Sequence, residues 1–549
     1  MTTPRTRRLL FVVPVILLTA GVILGWQLLR SETSSPATPS FADESSTAGV
    51  RQVYDGEYPF FVGGGLAVFD CNDDWFPELF IAGGENPSAL YINKSTVGGS
   101  LSFAMDPSAV TSRRKVTGAY PIDIDSDHHV DIVVLGRGGN AVLRGTGDCK
   151  FEDATTSLGL EPGSEWTVGF SATWEESERL PTLAFGNYLI PDTLDCSANT
   201  LYRPTSDLYS DSISLPAHCT LSLLFSDWNR EGHRDLRVSN DRNYDREAQE
   251  QMWRIQAGES PREYSEADGW KPLTIWGMGI ASQDLTGDSR PEVFLTSQAD
   301  NKLQTLDSDA TGPSYSDVAL RFGVTAQRPY VGGDVLPSTA WHPEFDDVNN
   351  DGFMDLLITK GNVEGQLDYA SNDPNNLLLG TRDGVFVERG DRAGIANASR
   401  SRGASLVDLN LDGLLDLVVV NRRVPVEIKR NVGSGTPASP RAMGHWLAFR
   451  LRQPAPNVDA IGAWIDVRVG DRVISREITV GGGHASGELG WVHFGLGDAT
   501  SAEVRVQFPG GTPGEWIEVE PDSFYVVDRD AATPERQEIS GKPTGDSRR

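Results

Sequence analysis

The stretch D-L-N-L-D-G-L-L-D-L at residues 408–417 decides how this chain is read. In a tight loop, side chains at positions 1, 3 and 5 turn inward, and a carboxylate at position 9 closes a cage of oxygens. A glycine at position 6 permits the sharp turn. Related stretches begin at Asp70, Asp123, Asp227, Asp284 and Asp347, with a weaker one near Trp174. Their starts lie about 51 to 63 residues apart. An acidic loop recurring at a near-constant period means one structural unit used seven times.

Each loop offers oxygen ligands suited to a hard cation, and the chemistry they point to is that of several structural Ca²⁺ ions. The design follows the logic of an EF-hand, with the closing acid at position 9 instead of 12. The candidate ligands are Asp70, Asn72, Asp74 and Glu78; Asp123, Asp125, Asp127 and Asp131; and Asp227, Asn229, Glu231 and Asp235. They continue with Asp284, Thr286, Asp288 and Glu292; Asp347, Asn349, Asp351 and Asp355; and Asp408, Asn410, Asp412 and Asp416. Thr286 is the weakest donor, and His128 stands where the turn glycine belongs. The third repeat, 174–183, lacks the set and is expected to hold no metal. Asp, Asn and Gly are also ordinary turn residues, but six loops of one spacing, each running into a strand, weigh against that reading.

The surroundings of the loops define the unit. A short apolar strand follows each loop, as at 79–81, 132–135, 293–295, 356–358 and 417–420. A second strand comes next, then an F/Y-x-D/E element, and a Gly-rich entry strand precedes the following loop. Four short strands in about 55 residues is the pattern of a propeller blade. The expected fold is all-β: a seven-bladed β-propeller over 50–435, with a C-terminal β-sandwich-like domain over 440–530. Seven blades closed on themselves leave only short sheet edges.

The pattern resembles the FG-GAP (VCBS) repeat of integrin-α-type propellers. Beyond it, H-W-L-A-F-R-L-R at 445–452, D-A-I-G-A at 459–463 and H-F-G-L-G-D at 493–498 resemble the ASPIC/UnbV domain. Their order is similar to that of the cartilage acidic protein family. That resemblance implies architecture and names no reaction. Between Gly481 and His493 the family usually carries an aromatic and a Ser-x-Gln; here the segment reads G-G-G-H-A-S-G-E-L-G-W-V.

Residues 9–29 form an apolar run without a charge, about 31 Å long as a helix and enough to cross a bilayer. Arg5, Arg7 and Arg8 precede it, which places the bulk of the chain outside the cytoplasm. Residues 1–30 are thus expected to be a transmembrane signal anchor, the only membrane contact; secretion after signal cleavage is the alternative. Residues 31–49, rich in Ser, Thr, Pro and Ala, read as a flexible stalk, and 531–549 as a disordered tail. Four cysteines fit an oxidising periplasmic or extracellular space. Cys196 and Cys219 are the best candidate pair, and Cys71 and Cys149 a second.

A net charge of −29 argues against nucleic acid as a partner. The chain has no G-x-S-x-G elbow, no H-E-x-x-H helix, no Walker loop and no dinucleotide fingerprint. No catalytic residue and no organic cofactor is therefore assigned. His342 and His484 are isolated, and either lines a pocket or is structural. Two aromatic-rich segments, 187–221 and 240–275, read as insertions on one face, which suits binding of a protein or a glycan. The leading expectation is a membrane-anchored, calcium-binding scaffold or adhesion module without catalysis. The alternative is an extracytoplasmic hydrolase or lyase acting on cell-surface polysaccharide or phospholipid.

Overall fold

The computed structural model describes residues 36–176, 178–190, 193–246, 248–326 and 334–539. The expected transmembrane run lies outside them. Among the described residues no helix is long and apolar enough to cross a membrane. Contacts separate Met1–Ala37 from Thr38–Arg549, and the account below concerns the second unit.

Short strands with Gly, Asn and Asp between them pair into antiparallel four-stranded sheets, the arrangement of a β-propeller. Sheet 6 shows the pattern: Ala340–Asp346, Asp355–Lys360, Asn376–Gly380 and Phe386–Glu388 follow one another across the sheet. Asp346 pairs with Asp355, so the acidic loop is the connection between the first and second strands. The second strand is buried along its whole length, because sheets on either side cover both faces. This explains apolar runs such as Leu356, Leu357 and Ile358, where a strand with one wet face would alternate. The same order holds from inner strands Leu66–Phe69, Val116–Ile122, Thr167–Thr173, Thr220–Ser226, Gly277–Gln283 and Ser401–Val407. Numbered along the chain, these are sheets 1 to 7, and each inner strand neighbours that of the next sheet. Leu66–Phe69 also neighbours Ser401–Val407.

Sheet 7 draws its fourth strand from the other end of the chain. Phe41, Ala42 and Asp43 pair with Asn431, Arg430 and Lys429. The stalk expected over 31–49 is corrected from Phe41 onward. Residues 401–431 supply only three strands, and the open edge takes up Phe41–Asp43, with Phe41 buried against Leu377, Leu379 and Leu417. Glu44 fastens the junction, binding Arg430 Nε at 2.9 Å and accepting from Leu101 N at 2.7 Å.

The C-terminal part consists of two four-stranded sheets. One is ordered Val492–Gly497, His445–Arg452, Ser523–Asp528, Glu535–Gln537. The other is ordered Arg472–Glu477, Trp464–Val469, Ala502–Gln507, Ile517–Val519. Leu447, Phe449 and Phe494 from the first share a core with Ile465, Val467 and Val504 from the second. Glu535–Gln537 pairs with Phe524–Val526, so the tail expected over 531–549 is corrected there: the edge of Ser523–Asp528 recruits it.

The glycine-rich segment after residue 478 leaves this domain and runs along the inner strands of the propeller. Ala172 N donates to Val480 O (3.2 Å), Gly482 N to Leu223 O (2.6 Å), Gly483 N to Ile280 O (2.7 Å) and Ala119 N to Ala485 O (3.1 Å). Gly487–Leu489 then pairs in parallel with Ala67–Phe69 as a fifth strand of sheet 1. The segment therefore bonds to sheets 3, 4, 5, 2 and 1 in turn and occupies the space between them. Glycine is required by the closeness of approach: a Cβ on Gly65 would lie 1.8 Å from Ala485 O.

Candidate cation loops and the surface they leave free

Six first-to-second-strand connections share one backbone conformation. Positions 4 and 6 have positive φ in every case: Asp73 and Trp75, Ser126 and His128, Arg230 and Gly232, Gly287 and Ser289, Asn350 and Gly352, Leu411 and Gly413. His128, at φ 71°, like Trp75 and Ser289, keeps the turn that Gly232, Gly352 and Gly413 make without a side chain, at about 1–2 kcal/mol of backbone cost. The third repeat has the same pairing, with Thr173 opposite Thr182, but fills its loop differently. Trp174 and Leu180 are buried there, while Glu175 accepts from Thr182 Oγ1 (2.6 Å) and binds Arg203 Nε (2.7 Å).

In the loops of sheets 2, 6 and 7 the backbone cradles the first and last carboxylates identically. Asp408 accepts from Asp412 N (3.1 Å) and Gly413 N (2.7 Å); Asp416 accepts from Leu409 N (3.1 Å) and Asn431 N (2.8 Å). Asp347 and Asp355 make the same bonds to Asp351, Gly352, Val348 and Gly380. Asp123 and Asp131 repeat them with Asp127, His128, Ile124 and Gly145. These bonds turn the carboxylates inward together. Burial, and then the neighbouring carboxylates, push Asp347, Asp355, Asp408, Asp416 and Asp131 well above the usual range. Burial, then Asp459, raises Asp123 to about 8, and burial raises Asp412 to about 6. A hard divalent cation would relieve this crowding.

The donors fit such an ion. Oxygens of Asp123, Asp125 and Asp131 lie within 4.8 Å of one another. Asn410 is fully buried, and its Oδ1 has no hydrogen-bond partner. Asp125 Oδ1 is likewise buried and unpartnered.

The loops of sheets 1, 4 and 5 bring their predicted ligands together with other partners among them. Asp70 Oδ2 is 3.3 Å from Arg450 Nη1, and Asn72 Nδ2 is 3.4 Å from Glu78 Oε1. Asp74 accepts from Phe76 N. Asp227 accepts from Glu231 N and Gly232 N, and Asn229 donates to Glu231 (2.8 Å). Asp235 Oδ2 accepts from Trp228 Nε1 (2.9 Å) and Tyr264 OH (2.7 Å). Asp284 accepts from Gly287 N and Ser289 N, Asp288 pairs with Arg290 (3.0 Å), and Glu292 takes the hydroxyls of Thr286 (3.3 Å) and Thr305 (2.9 Å). Burial raises Asp284 to about 6 and Glu292 to about 7.

The C-terminal sheets lie on this loop-bearing end. Asn457 N donates to Ser126 Oγ (3.0 Å), Arg230 grips Asp466 through two bonds of 2.8 Å, and His493 Nε2 meets Asn350 Oδ1 at 2.6 Å. Arg476 binds Asp346 at 2.8 Å, and Trp446 fills the space where a Cβ on Gly413 would stand. Sequence reasoning missed this docking because the hydrogen-bonded partners lie 130 to 331 residues apart.

His342 and His484, read as isolated, are in contact and buried. His484 N donates to His342 Nδ1 (3.0 Å), and Gly63 N donates to His484 Nε2 (3.2 Å). Burial pushes both imidazoles down to about 3, so both are neutral. The two supposed insertions are also corrected. Residues 199–215 and 251–263 are outer strands of sheets 3 and 4. Tyr188, Tyr202, Tyr209, Trp253 and Trp270 are buried, whereas Tyr244 is 57% exposed. The disulfide Cys196–Cys219 ties the first of these regions, and a second, Cys71–Cys149, joins the loop of sheet 1 to sheet 2. A polar cleft of 680 Å³ opens beside Asp235. Within its lining Arg262 pairs with Asp268 at 2.8 Å.

At the other end of the sheets the connections expose Tyr58, Ile190, Leu194, Tyr244, Val335, Leu336, Leu367 and Val424. Tyr58 stands 5.6 Å from Trp166 and Tyr244 4.6 Å from Trp276, between ring centres.

A family model for the FG-GAP-like repeat matches residues 347–419, and one for ASPIC and UnbV matches residues 453–534. Their order is the one the motifs resemble. No curated protein matches the chain at a significant level. Among solved structures, BBS1N in complex with ARL6DN is 9% identical, with a TM-score of 0.41 over 73% of this chain and 99% of that one. The Dos1 propeller is 9% identical, with a TM-score of 0.34 over 72% and 97%. An Agrocybe aegerita lectin that recognises non-reducing terminal N-acetylglucosamine is 16% identical, with a TM-score of 0.28 over 65% and 74%. Nothing about ligands follows from likenesses at this level.

Proposed function

We propose that this chain is a calcium-stabilised, seven-bladed propeller that acts outside the cytoplasm as a membrane-anchored scaffold for a protein or glycan ligand. The blade count is supported by seven sheets of four blade strands each, the first of them with Gly487–Leu489 added, whose first and last inner strands are neighbours. The cation reading is supported by the crowded carboxylates and the unpartnered Asn410 Oδ1. Two disulfides and the high calcium of extracytoplasmic spaces favour that compartment. The run at 9–29 favours the anchor. In this reading the ions are structural and hold the strand entrances.

The observation that carries the binding reading is the contrast between the two ends of the propeller. The loop-bearing end meets the C-terminal sheets, and the space between the inner strands holds residues 480–489. Eight of the thirteen exposed large apolar side chains among the described residues lie in the connections at the opposite end, which favours an interaction surface there. A photo-crosslinking residue placed at Tyr244 or Leu367 of the full chain, in its native envelope, tests this. A discrete adduct from these positions, absent from Met105 and Val385, is expected. Equal labelling at all four positions would remove the assignment of the ligand to this face.

A further inference from the structure

We infer that the segment 480–489 is an acid-released closure of the space between the inner strands: a second proton on His342 or His484 breaks the contacts that seat it and frees it while the sheets stay folded. The segment leaves the C-terminal sheets after Arg472–Glu477 and returns to them at Val492–Gly497, so its withdrawal leaves both strands in place. Four of residues 481–487 are glycine, and Ala485 is their only aliphatic side chain. Hydrogen bonds more than apolar burial therefore seat it, and such a segment opens at lower free energy than the sheets around it.

The two histidines carry that seating. His342 Nδ1 accepts from His484 N (3.0 Å), which places the ring hydrogen on Nε2, donated to Glu344 Oε2 at 3.2 Å. His484 Nε2 accepts from Gly63 N (3.2 Å), which places its hydrogen on Nδ1, donated to Met278 O at 3.3 Å. The tautomer of each ring is thus set by the partner of its other nitrogen. One chain of bonds joins the entry to sheet 1, the inner strands of sheets 5 and 6, and the segment. In both rings the unprotonated nitrogen faces a backbone N–H, so a second proton would stand where a donor already points. His342 has little room to turn aside, since a Cβ on Gly483 would lie 2.5 Å from its Cε1. Charging either ring costs a bond across the seat and places a cation in a buried site.

The charged groups around the pair act in both directions. Arg402 lies 4.0 Å from the centre of the Trp341 ring, which is 5.0 Å from that of His484, and its fixed charge resists another. Beside His342, Glu344 accepts from Leu406 N (3.0 Å). Behind it Asp346 binds Arg476 (2.8 Å), and Glu488 accepts from Ser405 Oγ (3.1 Å). The seated rings, held down to about 3, refuse protons that released rings accept near 6.5. Their contribution to seating is complete above about 6.5 and is lost as pH falls toward 3. Glu344, raised to about 8 by burial, works the other way and favours seating as pH falls from about 8 to 4.5. Two imidazoles against one carboxyl leave a net release of about tenfold per pH unit below about 6.

The test is hydrogen exchange of the full-length chain at fixed Ca²⁺ and ionic strength, read by mass spectrometry and corrected for the intrinsic pH dependence of exchange. Between about pH 6 and about pH 4.5 the opening constant of 480–489 is expected to rise about tenfold per unit. Strand 182–187 of sheet 3, whose loop lacks the acidic set, is expected to stay protected over the same range. His342→Asn keeps an acceptor for His484 N, and His484→Gln keeps one for Gly63 N, yet neither new side chain takes a proton. In the double variant the rise is expected to disappear and the opening to fall with pH, because Glu344 then titrates without opposition. A flat profile in the unaltered chain overturns the inference, as does an equal rise in the double variant. Equal opening of 182–187 overturns it too, because the acid would then unfold the whole molecule. Should the double variant fail to fold, the two profiles of the unaltered chain decide.

Discussion

Gly65→Ala perturbs the seating of residues 480–489. The new methyl would lie 1.8 Å from Ala485 O and 2.3 Å from Ala485 C. Both are backbone atoms, and Ala485 O is pinned by Ala119 N at 3.1 Å. Relief requires a shift of more than about 1 Å, which breaks that bond and strains those of Gly482 and Gly483 just before it. Overpacking costs about 1–3 kcal/mol, and the buried hydrogen bond lost adds about 1 kcal/mol, so about 2–4 kcal/mol is expected. Gly→Ala at an unhindered site would instead stabilise by about 0.4–1 kcal/mol. The assay is the midpoint of urea unfolding, with limited proteolysis of the 480–489 segment beside it. Gly490→Ala is the control: its nearest neighbour is Arg450 Nη2 at 3.8 Å, and a change within about 0.5 kcal/mol is expected. If Gly65→Ala unfolds at the wild-type midpoint and its 480–489 segment stays protected, the segment does not occupy the space between the sheets as described.

Phe41→Ala should cost about 3–5 kcal/mol in the same unfolding assay, because Phe41 closes the core between sheets 6 and 7. A cost below about 1 kcal/mol would mean the N-terminal strand is dispensable. Cys196→Ala with Cys219→Ala should lower stability by about 2–4 kcal/mol, and an unchanged unfolding midpoint would show the bridge to be idle. Burial lifts Glu250 to about 8 despite its bonds from Asn240 N and Asn243 Nδ2. The folded state therefore holds a proton that the unfolded chain releases near 4.5, so this group lowers stability progressively as pH rises from about 4.5 to about 8. Glu250→Gln should flatten stability against pH across that window; an unchanged slope would place the proton elsewhere.

The repeat was readable because its signal is local. Positions 1, 3, 5 and 9 of each loop and the buried strand after it, such as 417–420, fall within about a dozen residues. What sequence reasoning could not reach depends on distant partners. Phe41–Asp43 is three residues long, too short for any period, and becomes a strand only because sheet 7 lacks one. The glycines at 481–483 carry no strand period, yet Gly482 N and Gly483 N are spent on Leu223 and Ile280. Tyr202, Tyr209, Trp253 and Trp270 looked like a binding surface because aromatic composition does not tell core from platform. The side chains that bond the loop carboxylates of sheets 1, 4 and 5, Arg450, Tyr264 and Thr305, all lie outside those loops.

The most direct test is thermal unfolding of the full-length chain in millimolar Ca²⁺ and again in excess chelator with Mg²⁺ present. Each ion bound at about a hundred times its dissociation constant would contribute about 2.7 kcal/mol. For a unit of this size that corresponds to a fall of about 2–3 °C in Tm per ion on chelation. A fall of that order, restored by adding Ca²⁺ back, is the predicted result. A transition that stays where it was would contradict the account, because the acidic loops would then be turns that need no ion.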